Sequence, residues 1–554
     1  MNSANFWDKN WNNIVVLCLL CLVASCNNTE PYKRPSFEKP KFIIELAETR
    51  LLVSELERDL VQPWEITWGG DGHLWFTEKK GNVLRMDPNS GAVKKVLSIP
   101  EVFSEGYTPG LLGMVLHPEF MNNPYVYLHY TYTDSTLTNE FDRRGNPNYV
   151  KSRLVRYAYF NENDTLMESE SIFHEIPGSR GHNGSRLTIS DDNKLLFSIG
   201  DVANSRNAQT EESLPGKVLR INLDGSVPDD NPIPDSYFYS MGHRNPQGLV
   251  AANGKIYSSE HGPDNDDEIN IIKAGGNYGW PFVEGYCDKE NELTFCDTVA
   301  VTEPIYNWTP TIAPAGLDYY NNDAIPEWKN NLMLTTLKGR SLWLLELDES
   351  GERIINERIY LQKQFGRFRD LCVAPNGDVY IVTSNSDWHI GRYGWMYENV
   401  PENGNDRVLK ISVIHESEVE NFKDLKVLTE DNKPIEMFVQ AKSGNDANGM
   451  FVYNNNCVSC HMKQGQGIPD FAPPLIGTKT VADKTKLIET VLFGMSGEIE
   501  VKGKKYNEIM PGFAVGLSNN ELKDLLNFIR LTANDYTDSI SVKEIEVIRN
   551  SRTL

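Results

Sequence analysis

The chain has 554 residues, with 54 basic against 77 acidic side chains and a formal net charge of −23. That length allows two or more domains, each with its own core. The acidic balance argues against nucleic acid or an anionic lipid surface as a partner, and it suits solubility and a basic redox partner.

A polar stretch with Lys9 precedes an apolar run over 14–23, IVVLCLLCLV. The run has the length of a signal-peptide core and is too short to span a bilayer comfortably. It ends in Leu22-Val-Ala-Ser-Cys26, small residues before a cysteine, which resembles a bacterial lipobox. On that reading 1–25 is a lipoprotein signal peptide, Cys26 carries the lipid, and 26–44 is a polar tether. The alternative is an ordinary signal peptide cleaved nearby. A lipid anchors a chain without making it span the membrane, and no later segment is long and apolar enough to do so. The expectation is an exported, membrane-anchored protein on the periplasmic or cell-surface side.

From 45 to 413 one pattern recurs six times: a turn rich in Asn, Asp and Gly, a short β-rich run, then a second strand. The units include DGHLWFTEKKGNVLRMD at 71–87, DNKLLFSIG with GKVLRINLDG at 192–225, and NGDVYIVTS with DRVLKISV at 376–413. Alternating, β-branched and aromatic runs bounded by turn residues read as strands. The second strands share a theme, VLRM, LVRY, VLRI and VLKI, which marks an array of equivalent sheets. Six units predict a six-bladed β-propeller, with Arg50–Leu56 adding a strand to the last blade and closing the ring. A barrel or sandwich fits the wide, irregular spacing poorly. Cys287 and Cys296 lie in one loop-like stretch and are placed to close a disulfide in an oxidising compartment, while Cys372, in LCVAP, reads as a buried free thiol.

After 413 the character changes. Residues 414–442 are charged and poor in core residues, and read as a linker. From 443 to 535 helical signals take over, with a capping box at Ser518–Glu521 opening a helix whose Leu522, Leu525, Leu526 and Ile529 share a face. Residues 536–554 read as a tail. Within this small all-α domain stands Cys457-Val-Ser-Cys460-His461. The spacing attaches a haem through two thioethers and places His461 on the iron. A zinc site would need further ligands nearby. The tail resembles monohaem cytochromes c: Phe471-Ala-Pro-Pro-Leu475 is similar to their proline turn, whose carbonyl orients the axial histidine, and Ile509-Met510-Pro511 to their methionine loop. The resemblance implies Met510 as sixth ligand, with Met495 competing and Met462 too close to His461 to reach the other side.

Several propeller stretches go further: SRGHNGSRLTISDDNKLLFSIGD, MGHRNPQGL, SSEHGPDNDDEINIIKAGGNYGWP and GRFRDLCVAPNGDVYIVT. Over about 55–413 the chain resembles the pyrroloquinoline-quinone (PQQ)-dependent soluble glucose/aldose sugar dehydrogenases, the glucose/sorbosone dehydrogenase family. The resemblance implies oxidation of an aldose to its lactone. His182 matches the base that takes the proton of the anomeric hydroxyl, Asp201 the acid that orients it, and Arg244 and Asn245 residues at the cofactor. Lys338, Arg367 and Arg369 match the partners of the quinone's carboxylates. A calcium ion is implied at the carbonyls of Gly262 and Pro263, and a second, structural one at Glu268 and the carbonyl of Tyr278. Thr108, followed by Pro109, stands where the family usually has a Gln that touches cofactor or sugar, which leaves the sugar open. The haem then accepts electrons from the propeller and passes them to an external respiratory acceptor. Two rivals share the fold: a calcium-dependent lactonase, and a ligand-binding propeller carrying an independent cytochrome.

Overall fold

The computed structural model describes residues 34–134 except 107, 149–386 except 264 and 310, 406–429, and 449–551 except 450–451, 454–455, 462–464, 466, 469–470, 509, 515–516, 533–535 and 537. The lipobox, Cys26, Met462 and most of the long segment before the last propeller strand lie outside them. Among the described residues no helix is long and apolar enough to cross a membrane.

Six antiparallel sheets form the six-bladed β-propeller. Blade 1 runs Pro63–Trp68, Leu74–Glu78, Asn82–Met86 and Val93–Ser98, and blades 2 to 5 repeat the four-strand pattern through Tyr360. The first strand of each blade packs on the first strands of its neighbours, so these six line the centre of the ring. The repeated units of the sequence are the second and third strands of each blade. Their burial is nearly complete, as in Leu74, Trp75 and Phe76, each fully buried, because both faces of a blade pack against neighbouring blades. Apolar clusters accordingly lie between adjacent sheets, such as Trp75, Leu128 and Tyr159 between blades 1 and 2.

Blade 6 is built from both ends of the propeller. Phe368–Val373, Val379–Thr383 and Asp406–Val413 pair in order, and Arg50–Leu60 adds the fourth strand, as expected. Two assignments need correction. The segment read as tether contains the strand Glu38–Glu45, antiparallel to Arg50–Leu60. The segment read as linker contains a 3₁₀ turn, Glu416–Phe422, and the strand Lys426–Thr429, which runs parallel to Glu38–Glu45. Arg34 holds this join, donating to Glu418 at 2.8 Å and Glu38 at 3.0 Å. Both strands are short and half apolar, so their composition resembles a polar connection.

The C-terminal domain has its own apolar cluster, including Val481, Leu487, Leu522, Leu525, Leu526 and Ile529. The capping box forms: Ser518 Oγ accepts from the Glu521 N–H, and the Glu521 carboxylate from the Ser518 N–H at 2.7 Å. The domain is not purely helical, since Ile499–Val501 and Lys504–Tyr506 make a hairpin. The residues read as a tail form the helix Val542–Ser551, whose Ile545 is fully buried in the cluster, so they belong to the domain.

Cys287 and Cys296 are joined, with Cα atoms 6.5 Å apart across the short helix Glu290–Cys296. Cys372 is a buried free thiol whose pKa burial pushes well up.

Candidate functional site

In an up-and-down blade the entry to the first strand and the turn between the second and third strands lie at the same end. His182, Arg244, Asn245 and Arg367 precede first strands, Arg369 lies early in one, and Asp201, Gly262, Pro263 and Lys338 occupy turns between second and third strands. The topology therefore gathers these residues at one end of the propeller.

His182 has φ +54, a left-handed conformation that non-glycine residues rarely adopt. Its carbonyl accepts from Val202 N at 3.0 Å, and a side chain on Gly200 would bring a Cβ to 2.2 Å from that oxygen. Gly200 thus lets the two loops close on each other. The imidazole Nδ1 lies 2.8 Å from Asp201 Oδ1. Asp201 is 1% exposed and the His182 side chain 27%, so the acid is sealed while the base is reachable. A carboxylate here accepts the Nδ1 proton and leaves Nε2 as the basic nitrogen.

Arg244 and Asn245 are held by Glu260, whose Oε1 accepts both backbone N–H groups, the Asn245 bond measuring 3.0 Å. The other oxygen of Glu260 bonds the fully buried His243 at 3.0 Å. The Arg244 guanidinium donates from Nη1 to the His261 carbonyl at 3.2 Å, and its Nε is buried without a hydrogen-bond partner. Burial lowers its pKa from the ordinary arginine value. Asn245 Oδ1 accepts from Gly184 N and from Gln247, and Gln247 Oε1 accepts from Arg369 at 3.1 Å. Arg367 donates to the Ser384 carbonyl at 2.9 Å, and Lys338 to Thr311 at 2.7 Å. Lys338 also lies close enough to Asp267 to counter the burial that pushes that carboxyl up to about 7. His261 is pushed down to about 3 by burial and by Arg244 and Arg369, so it is neutral and donates from Nε2 to the Pro314 carbonyl at 2.7 Å.

One small cavity is lined by Gly262 and Pro263 together with Arg244, Glu260, Asp266, Glu268, Tyr278 and Glu284. Burial, and then the charge of Glu260, raise the Glu268 pKa well above the ordinary value. Among the described residues no three Asp, Glu, His or Cys side chains converge as a ready metal cluster. Carbonyl oxygens with buried acids around them are the donor set of a hard cation. The residues of the two expected calcium sites line this same cavity. Thr108 Oγ1 accepts from Asn183 at 3.0 Å, so the residue in the family's Gln position braces the loop beside His182.

In the C-terminal domain, His461 Nδ1 donates to the Pro473 carbonyl at 2.8 Å, which leaves Nε2 for a metal. Neither Cys457 nor Cys460 is in a disulfide, and the His461 N–H bonds the Cys457 carbonyl at 2.9 Å, one turn away. The three groups fit a covalently attached haem. Met495 and Met510 exchange both backbone hydrogen bonds, at 3.0 and 2.9 Å. Of the two, Met510 packs against the core cluster.

The sequence reading missed Trp280, Glu260, Gln247 and the buried Arg186, which donates to Glu65 at 2.5 Å and Asp370 at 2.9 Å in the ring's centre. Trp280 and Gln247 lie in stretches that carried the family resemblance, GNYGWP and GHRNPQG, and the signal was their neighbours.

Residues 60–392 match the family model described as Glucose / Sorbosone dehydrogenase, and residues 447–533 match Cytochrome c. The chain is 32% identical over 424 residues to quinoprotein glucose dehydrogenase B of Acinetobacter calcoaceticus, covering 62% of this chain and 87% of that protein. It is 39% identical over 94 residues to cytochrome c-552 of Thermus thermophilus, covering 16% of this chain and 70% of the relative. Among solved structures, the PQQ-bound form of aldose sugar dehydrogenase from Streptomyces coelicolor matches with TM-score 0.54 and 28% identity, over 66% of this chain and 98% of that one.

Proposed function

Because the chain belongs to the glucose/sorbosone dehydrogenase family and carries a cytochrome c domain, we propose that this oxidoreductase converts an aldose to its lactone with PQQ and calcium, and passes the electrons to its own haem. The observation that carries the reading is the reachable His182, oriented by a sealed Asp201, on the propeller face that also bears Arg244, Lys338 and Arg369.

His182 Nε2 takes the proton of the anomeric hydroxyl, and Asp201 keeps Nδ1 protonated and the ring oriented. Arg244, Asn245, Lys338, Arg367 and Arg369 would hold the quinone, since arginine forks and a lysine suit a planar tricarboxylate. The Arg244 Nε, buried without a hydrogen-bond partner, is a donor left over for an anionic group. The carbonyls of Gly262 and Pro263 would hold calcium, with Glu268 and the Tyr278 carbonyl at the same cavity. When bound, the quinone supplies the two-electron acceptor that the amino acids lack. The substrate loses two protons and two electrons, and a haem, when bound, would accept those electrons one at a time. Cys457 and Cys460 would attach that haem, and His461 and Met510 would ligate its iron. The apolar run before Cys26 supports an exported, lipid-anchored location, where an external acceptor collects the electrons.

The test is stopped-flow absorbance of the haem after protein loaded with quinone and calcium meets aldose. Haem reduction is expected, and it should be slowed roughly 10²–10⁴-fold in His182→Ala, the usual contribution of a positioned base. A haem that stays oxidised while substrate turns over with an artificial dye overturns the relay. Full turnover in His182→Ala overturns the assignment of the base.

A further inference from the structure

Asp201 is the hinge on which the orientation of His182 depends, and its two oxygens are held differently. Oδ1 accepts from His182 Nδ1 and from the Ala203 N–H, each at 2.8 Å. Oδ2 accepts from the indole Nε1 of Trp280 at 2.9 Å, its one hydrogen bond among the described residues. An indole N–H only donates, so this bond fixes the rotation of the carboxylate. The same indole lies beneath Arg244, with the guanidinium carbon 5.3 Å from the ring centroid. Trp280 also lines the cavity with Gly262 and Pro263. Its own backbone is pinned: the N–H donates to the Gly242 carbonyl at 3.2 Å, and the carbonyl accepts from Gln209 at 2.8 Å.

We propose that Trp280 is a positioning residue that couples the two halves of the site, its N–H setting the His182–Asp201 pair and its ring face setting Arg244. The two roles use different parts of one side chain and are separable. Loss of the N–H leaves Asp201 Oδ2 buried without a donor and free to turn, which displaces His182. Loss of the ring removes the support beneath a cation whose Nε has no other partner.

The inference rests on His182 as the base, and the test separates the two. Trp280→Phe keeps the aromatic face and loses the N–H; Trp280→Leu loses both. Turnover is measured on protein loaded with quinone and calcium, and quinone affinity by calorimetric titration of the unloaded protein in calcium. Trp280→Phe is expected to lower kcat roughly tenfold, the size of one hydrogen bond, with KM and quinone Kd within about twofold. Trp280→Leu is expected to show the same kcat loss and a quinone Kd raised roughly tenfold, as for a desolvated cation over a ring. Gln209→Ala loosens the indole without touching Asp201, and should lower kcat with quinone affinity kept; it serves if position 280 does not tolerate change. Wild-type kcat in Trp280→Phe, or equal loss of kcat and quinone affinity in every variant, overturns the proposal. Full turnover in His182→Ala places the failure in the functional reading instead.

Discussion

His182 Nδ1 and Asp201 Oδ1 stand 2.8 Å apart, with the histidine reachable and the acid sealed. Asp201→Asn tests what the charge does. The amide reproduces the shape, but when it turns its NH₂ toward His182 it selects the tautomer protonated on Nε2, which is no base. The expected loss is roughly 10²–10⁴-fold in kcat, with quinone binding kept, measured by dye reduction and by quinone titration. A loss of less than threefold would show that Asp201 does not govern the tautomer.

The cavity beside Arg244 is lined by Glu260, Asp266, Glu268 and Glu284, of which Asp266 and Glu284 pair with Lys289 at 3.7 and 3.6 Å. Burial and Glu260 raise the Glu268 pKa, so ionising Glu268 there costs stability that a bound divalent ion returns. Chelation and dialysis should abolish turnover, and calcium should restore it. Calcium should also raise the thermal unfolding temperature of the quinone-free protein, by the equivalent of ~2.7 kcal/mol at a hundred times its Kd. Glu268→Gln should shrink that gain. An unfolding temperature indifferent to calcium in the wild type speaks against a cation at this site.

Met510 packs on the core of the haem domain while its bridge partner Met495 does not. Met510→Ala should therefore lower the haem potential and abolish the thioether-to-iron absorption band, and Met495→Ala should leave both nearly unchanged. A thioether ligand raises the potential, so redox titration reads the difference directly. The reverse ranking would assign the sixth ligand to Met495.

Glu357 accepts from Tyr306 at 2.8 Å and from Trp308 at 3.4 Å between blades 4 and 5. Burial pushes its carboxyl up from 4.5 to about 7. The folded state then holds a proton that the unfolded chain gives up near 4.5, so the stability it contributes is complete below that value. It is lost as pH rises through about 7. Glu357→Gln imitates the protonated acid. Its unfolding temperature should match the wild type near pH 5 and exceed it near pH 8, a crossover of at most ~3 kcal/mol at 1.36 kcal/mol per pKa unit. A constant offset at both pH values would show that Glu357 does not titrate on unfolding.

The middle strands of every blade were legible because a buried β run between turn residues, as in Leu74–Glu78 and Lys194–Ile199, leaves a clear pattern. The outer strands were harder to see: Val93–Ser98 is mostly exposed and lysine-rich, and its pairing comes from the blade rather than from its composition. Lys426–Thr429 reads as a connection because it becomes a strand only by pairing with Glu38–Glu45 at the other end of the chain, and Glu38–Glu45 because it is short and half charged. In the site, the His182–Asp201 pair and the Pro473 carbonyl beside His461 followed from motifs. Trp280 did not, because its role depends on a loop of one blade reaching a carboxylate of the preceding one.

Blade 6 carries a further consequence, for how the protein is made. The antiparallel pair 38–45 and 50–60 meets the rest of its sheet only at 406–413 and 426–429, after the first five blades have been synthesised. A contact between such distant residues carries the largest loop-closure cost in the chain. The first-made pair must therefore wait as an isolated hairpin for the last strands, and the ring cannot lock while the ribosome is still partway through it. The haem domain follows directly behind the strand that completes the clasp. A nascent chain arrested before residue 406 should thus remain open to protease at its N-terminal strands, and one released after residue 429 should resist it.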